Sequence, residues 1–345
     1  QKNGFVEKVE SLLEKESSEV KVVMPSRNTP EPTTDIPEVL KDVAKEMGAD
    51  LVIGMGGGSV LDVAKMTAAL INNPLTVREY FGKEKVPNKG LPTILIPSTS
   101  GTGSEVTKHA IFLDEKANVK KAVASSNLLP TVAIIDPLTT ITCPQKVTAD
   151  SGFDAFLHAA EPFISKSANP LTDVIALEAI SMITKWIGPA YADGENTEAR
   201  YYMSLGSLLA GLVLNNSGTS LVHALAYPIG GEYHVPHGPS LTCLVNSCFD
   251  YIMVAKQERF VQIAKAMGEN VEGLSNREGA KLALDAINEV LLRLNLPRSL
   301  TDLNITDKSK VDQWAIDGHS EQRLLSRSAR KLSVDDIKKI YLNAF

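Results

Sequence analysis

The sequence predicts a doubly wound α/β unit with a parallel sheet over residues 1–140, followed by an all-helical unit over residues 141–345. Three observations carry that prediction. Strand-like runs alternate with helical periodicities in the first part, and two of them, ADLVIGM (49–55) and LPTILIPST (91–99), are apolar on both faces, as strands covered by helices are. Three consecutive glycines stand between one such strand and the helix after it. From CPQKVTADSG (143–152) onward the apolar residues recur with the helical period of about 3.6.

Taken in order, GFVEKVESLLEK (4–15) has helical spacing, EVKVVM (19–24) is a short β-rich run, and IPEVLKDVAKEM (36–47) is helical again. ADLVIGM is a buried strand, SVLDVAKMTAALI (59–71) a helix with small residues on one side, and LPTILIPST a second buried strand. TKHAIFLDEKANVKKAVAS (107–125) places two β-rich arms around the polar turn DEKAN, a hairpin, and TVAIID (131–136) is the last strand. Five helical stretches follow: DAFLHAAEPFI, LTDVIALEAISMITKWI, EARYYMSLGSLLAGLVL, RFVQIAKAM and EGAKLALDAINEVLLRL. A doubly wound unit ordinarily opens on a strand, whereas this chain opens inside a helix, so its first strand is expected to be absent.

With 43% hydrophobic and 22% charged residues, the 345-residue chain has the composition of an ordinary globular protein of about two domains. Its net charge of −6 leaves no basic footprint for nucleic acid or an anionic membrane. The apolar runs fall far short of the ~20 residues that cross a bilayer, and no secretory segment opens the chain. Cys143, Cys243 and Cys248 have no CxxC spacing and read as reduced thiols of a cytoplasmic protein.

Two loops point to a nucleotide. In GMGGGSVLDVAK (54–65), glycines between strand and helix let backbone N–H groups approach a phosphate at the helix N-terminus, although a ligand-free tight turn has the same sequence. Asp62 and Lys65 are spaced to pair on that helix. PSTSGTGSE (97–105) adds the hydroxyls of Ser98, Thr99, Ser100, Thr102 and Ser104 at the end of the next strand, where open α/β sheets bind ligands; alone it reads equally as a polar surface loop.

A metal site is suggested in the helical part. Asp154 and His158 share one helix face at i, i+4. His223 lies in the small, apolar stretch SLVHALA and needs a partner if buried; His237 stands between Pro236 and Gly238, at a turn or helix start. Pro228 and Gly230–Gly231, between them, are helix-breaking signals and are expected to turn the chain. One carboxylate and three imidazoles suit Zn²⁺ or Fe²⁺ better than Mg²⁺ or Ca²⁺. His234 is expected beside the site and not on the ion, and His109 and His319 are expected to be non-ligands.

These blocks, with LLPTVAIIDP and FDAFLHAAEPFISKSANPLTD between them, occur in the order seen in the iron-containing (group III) alcohol dehydrogenases, which the chain resembles along nearly its whole length. The resemblance implies a Rossmann-like dinucleotide-binding domain and an all-helical domain in a dehydroquinate-synthase-like architecture, with the active site in the cleft between them. It implies NAD or NADP at Gly56, Gly57, Gly58 and Ser59, with Asp62 in the same block, at Ser98, Thr99 and Thr102, and near Lys120. It implies Fe²⁺, or Zn²⁺ or another divalent ion, on Asp154, His158, His223 and His237. The substrate would be a small alcohol or aldehyde, and the assembly a homo-oligomer, dimer or larger. Two features depart from the family: Tyr227 stands where many members have a histidine assigned to proton relay, and the first strand with the turn after it, where in the family an acidic residue helps choose NAD over NADP, is expected to be absent. Tyr227 is the candidate catalytic residue, able to donate a hydrogen bond, though the phenol's reference pKa of ~10 makes it a poorer shuttle at neutral pH. Two other readings of the same architecture are a metal-dependent lyase or cyclase of the dehydroquinate-synthase type and a non-catalytic nucleotide-binding scaffold.

Overall fold

The computed structural model describes residues 4–16, 18–24, 32–116 and 119–345. The chain divides into two compact units: residues 1–99 with 108–142, and residues 100–107 with 143–345.

The first unit opens with helices α1 (Phe5–Lys15) and α2 (Asp35–Glu46), then strand β1 (Val52–Gly56) and helix α3 (Gly58–Leu70). Strands β2 (Gly82–Lys83), β3 (Thr93–Pro97), β4 (His109–Asp114), β5 (Val119–Ala124) and β6 (Val132–Ala133) follow. They form two sheets. In one, β1, β3 and β6 lie side by side, all parallel, with Gly54 opposite Leu95 and Ile94 opposite Val132. Close approach of α3 to β1 is what the glycines permit: a Cβ at Gly54 would lie 2.7 Å from Ala64 Cβ and 2.8 Å from Leu95 Cδ2. The other sheet has the order β2-β5-β4, with β4 and β5 antiparallel. In β4, Ala110, Phe112 and Asp114 are buried and the residues between them only half-buried, the alternation of a one-sided sheet. Residues 117 and 118 of the hairpin turn lie outside the described residues.

EVKVVM departs from expectation. Residues 19–24 carry no strand, because a β-rich run becomes one only beside a partner ladder, and none of the described residues pairs with it.

The second unit is built on α4 (Gln145–Ile164), α5 (Pro170–Ala192) and α6 (Thr197–Ser217). Around them stand α7 (Leu221–Tyr233), α8 (His237–Met253), α9 (Gln257–Ala266), α10 (Asn276–Arg293), α11 (Val311–Ser320), α12 (Gln322–Leu325) and α13 (Val334–Asn343). From Gly152 to Ile164 every residue of α4 is buried, so it is a central helix and not a surface one. Gly152 lets its neighbours close in, since a Cβ there would lie 2.8 Å from both Ile187 Cδ1 and Met203 Cε. No single described helix is long and apolar enough to cross a membrane; α6 and α7 pass together on composition but bend by 99° between them.

The turn between His223 and His237 is not where the sequence places it. α7 runs on through Pro228 and Gly230–Gly231 to Tyr233. Burial of Leu221, Val222, Ala224, Leu225, Ala226 and Ile229 outweighs the propensity cost of the proline and glycines. A Cβ at Gly230 would meet only ordinary contacts at 3.5 Å and beyond, so the turn does not depend on that glycine. The reversal is made by His234, left-handed at φ 52°, and by Pro236, which caps α8.

Candidate functional site

In the first unit, β1 ends at Gly56, Gly57 caps α3, and Gly58 and Ser59 form its first turn. That terminus has no side-chain cap hydrogen bond and no acidic residue in its first turn. Ser98 donates its N–H to the Gly56 carbonyl at 2.8 Å, and a Cβ at Gly57 would lie 3.7 Å from Thr99 Cγ2. The glycine loop, Ser98 and Thr99 therefore meet at the C-terminal ends of β1 and β3.

The remaining residues of the expected nucleotide set are placed differently. Thr102 belongs to the other unit, where its hydroxyl accepts the Ser104 N–H at 3.3 Å. Lys120 is half-buried in β5, opposite Leu113. Asp62 pairs with Lys65 at 3.0 Å, as its spacing allows, and its other oxygen accepts the Ile111 N–H at 2.9 Å. Lys65, almost fully buried, also donates to the His109 carbonyl. The pair thus fastens β4 to α3, a structural task that the sequence did not announce.

In the second unit, Asp154, His158, His223 and His237 converge. The Nε2 atoms of His158, His223 and His237 lie 3.2, 3.4 and 3.7 Å from one oxygen, Asp154 Oδ1. Ligand atoms of Asp154, His223 and His237 all fall within 4.8 Å of one another. Atoms bound about 2.1 Å from a tetrahedral ion are about 3.4 Å apart, and the observed separations bracket that value. Asp154, His158 and His223 are buried, while His237 is partly open at a side-chain exposure of 29%. Among the described residues, Asp154 Oδ1 and His223 Nε2 have no hydrogen-bond partner. Leaving such atoms unpaired in a helical core costs about 1–3 kcal/mol each, a cost that a cation at this point removes.

Each element places its ligand for a local reason. Asp154 and His158 are one turn apart on buried α4. His223 is in the first turn of α7 and His237 is the first residue of α8, and the short left-handed turn brings their ring centroids to 5.4 Å.

Behind the rings stand two acceptors. His158 Nδ1 is 3.2 Å from the Gly101 carbonyl, and His223 Nδ1 is 2.5 Å from Glu161 Oε2. With Nδ1–H donating to either acceptor, Nε2 carries the lone pair toward Asp154, the tautomer that binds a metal. Glu161 has a sequence signal, three residues after His158 on the same helix face; a backbone carbonyl such as that of Gly101 has none. His234 is exposed, and neither His109 nor His319 joins the group of close ligand atoms.

Burial alone would raise the Asp154 carboxyl, but the imidazoles of His158, His223 and His237 hold it far below the usual carboxylate range. Burial pushes His158 down. Burial would also lower His223, yet the Glu161 and Asp154 carboxylates hold it up. Tyr227, one turn beyond His223, is half-buried, and burial raises its phenol; the charges of Arg323, Glu321 and Asp154 also act on it.

Comparison with known proteins shows the family of the chain. Residues 1–137 match the profile described as "Iron-containing alcohol dehydrogenase", and residues 148–345 match "Fe-containing alcohol dehydrogenase family, C-terminal". The long-chain-alcohol dehydrogenase 1 of Geobacillus thermodenitrificans is 38% identical over 347 residues, covering 100% of this chain and 87% of that protein. An alcohol dehydrogenase from Oenococcus oeni superposes with a TM-score of 0.95 at 32% identity, over 100% of this chain and 89% of the other. A 1,3-propanediol oxidoreductase superposes with a TM-score of 0.93 at 34% identity, over 99% and 88%.

Proposed function

This chain belongs to the iron-containing alcohol dehydrogenase family, and from that premise we propose that Asp154, His158, His223 and His237 hold the divalent metal of an NAD(P)-dependent alcohol oxidoreductase. The reaction is the interconversion of an alcohol with its aldehyde or ketone; the relatives do not favour a lyase, a cyclase or a scaffold. One observation carries the ligand assignment: three imidazole Nε2 atoms face a single buried carboxylate oxygen that has no hydrogen-bond partner among the described residues. One carboxylate with three imidazoles is a donor set for Fe²⁺ or Zn²⁺. When bound, the ion supplies Lewis acidity toward a substrate oxygen and the nicotinamide gives or takes the hydride.

The chain's own residues do the rest. Asp154 supplies the negative charge of the set, and the Gly101 carbonyl and Glu161 keep His158 and His223 turned toward it. His237, the most open of the four, marks the side facing solvent. Burial raises the Tyr227 phenol, which acts as a hydrogen-bond donor, and the reaction's proton leaves through water, the ribose hydroxyls or a relay that includes Tyr227. In the first unit Gly56, Gly57, Gly58, Ser59, Ser98 and Thr99 are assigned to the nucleotide, with Thr102 and Lys120 as further contacts and Asp62 bracing the loop's helix. A small substrate, cytoplasmic residence with reduced Cys143, Cys243 and Cys248, and a homo-oligomer belong to the same proposal.

The test is a cofactor-by-substrate screen of protein loaded with Fe²⁺ or Zn²⁺, using NAD(H) and NADP(H) with alcohols and aldehydes from short diols to long chains. Turnover is expected with at least one pair, and His237→Ala should lose bound metal and turnover together. His237→Ala retaining full metal and activity would refute the ligand assignment.

A further inference from the structure

Glu161 is fully buried in α4, and its carboxylate is spent entirely on the start of α7. Oε1 accepts the Val222 N–H at 2.7 Å and the Ser220 hydroxyl at 3.3 Å; Oε2 faces His223 Nδ1 at 2.5 Å. The Ser220 side chain does not cap α7, so this carboxylate from another helix does. We propose that Glu161 is a positioning residue for the metal centre: by accepting Nδ1–H it fixes the ring plane and tautomer of His223 and directs the Nε2 lone pair to the ion. This inference rests on the ligand assignment proposed above.

The donor and acceptor inventory makes the claim sharp. A carboxylate only accepts, so Nδ1 donates, and in the neutral ring that binds a metal Nε2 is left bare. In Glu161→Gln the shape is kept but the symmetry is lost. The Val222 N–H can only donate, so it claims the amide oxygen and turns the amide NH₂ toward His223 Nδ1. Nδ1 then becomes the acceptor, and the proton moves to Nε2, pointing at the position of the ion. A near-isosteric change that preserves the α7 cap thus removes a ligand. Ser220→Ala does the converse, removing one hydrogen bond from the same carboxylate while leaving the contact with His223 intact.

The experiment compares wild type, Glu161→Gln and Ser220→Ala by chelator-competition titration of Zn²⁺ affinity and by the visible spectrum of the Co²⁺ form. Glu161→Gln is expected to bind metal about 10- to 100-fold more weakly, with an altered Co²⁺ spectrum. Ser220→Ala should keep the wild-type affinity and spectrum. Wild-type behaviour in Glu161→Gln overturns the inference, as does an equal loss in Ser220→Ala, which would make Glu161 a cap alone. Should Glu161→Gln fail to fold, ¹⁵N NMR of the Zn²⁺-loaded wild type decides: His223 protonated at Nδ1 supports the inference, and protonation at Nε2 overturns it. Wild-type protein that takes up no metal overturns the ligand assignment and this inference together, whereas metal held equally by wild type and Glu161→Gln overturns this inference alone.

Discussion

Gly101→Ala tests whether the segment 100–107 holds a metal ligand in place. Gly101 packs against α4, and a Cβ there would stand 2.6 Å from Ser151 Cβ and 2.9 Å from the Ser151 carbonyl oxygen. Carbon atoms rest at about 3.5 Å, so the segment must withdraw from α4 by about 0.9 Å. His158 lies on the same helix two turns beyond Ser151, and its Nδ1 is 3.2 Å from the Gly101 carbonyl. Less than half of that withdrawal takes the contact past hydrogen-bonding range. Overpacking of this kind costs about 1–3 kcal/mol of stability, and loss of a partner behind a ligating imidazole weakens metal binding by about 10- to 100-fold. The assay is chelator-competition titration alongside a thermal melt. The control is Gly188→Ala in α5, whose added Cβ would meet nothing within 4 Å. Gly101→Ala with wild-type metal affinity, whatever its melting temperature, would refute the reasoning.

Four further outcomes are expected. Tyr227→His replaces a phenol that stays protonated with a group titrating near pH 6.5, so kcat/KM against pH should gain a limb in that region; an unchanged profile removes Tyr227 from the proton path. Arg200 is 2% exposed and donates to the Thr148 hydroxyl and the Cys143 and Gly194 carbonyls, so Arg200→Ala should destabilise the helical unit by about 1–3 kcal/mol for each acceptor left unpaired, read by urea melts. The Lys121 bond, with Arg78, holds Asp114 down at about 2 from an ordinary 3.8. A depressed folded-state value stabilises above the unfolded one, so this contribution should be present above about pH 4 and fade as pH falls toward 2; Asp114→Asn should flatten that part of the stability–pH curve. Restoring metal to chelated protein at a free concentration 100 times its Kd should add about 2.7 kcal/mol, seen as a higher Tm that His223→Ala lacks.

Much of this architecture is legible in the sequence because its signals are local. Asp154 and His158 share a helix face through i, i+4 spacing, and the glycine loop lies between a strand and a helix whose periods are clear. What is illegible depends on tertiary packing. The helical period of α8 is hidden in LTCLVNSC because the helix is buried nearly all round and has no polar face to contrast. Strands β2 and β6 are two residues each, too short for alternation to register. The segment 100–107 reads as one hydroxyl loop with Ser98 and Thr99, yet it joins the helical unit through a backbone approach in which a Cβ at Gly103 would lie 2.5 Å from Gly211 Cα. The proline and glycines of α7 mislead for the same reason, since propensity is a small term beside burial of the helix's apolar face.

The two carboxylates of α4 show why the site takes this form. Asp154 and Glu161 lie two turns apart, both buried in a core of apolar helices that cannot solvate a charge. Each is tolerated for a different reason. Glu161 has hydrogen bonds on both oxygens, drawn from the start of α7. Asp154 Oδ1 has none, and three imidazoles face it instead. Hydrogen bonding is therefore complete at the carboxylate behind His223 and withheld at the one in front of it. A structural ion pair would be satisfied on both sides, as Asp62 with Lys65 and the Ile111 N–H is. The asymmetry around His223, which places an acceptor behind the ring and an unpaired oxygen ahead of it, is the arrangement expected of a ring whose Nε2 is meant for a cation.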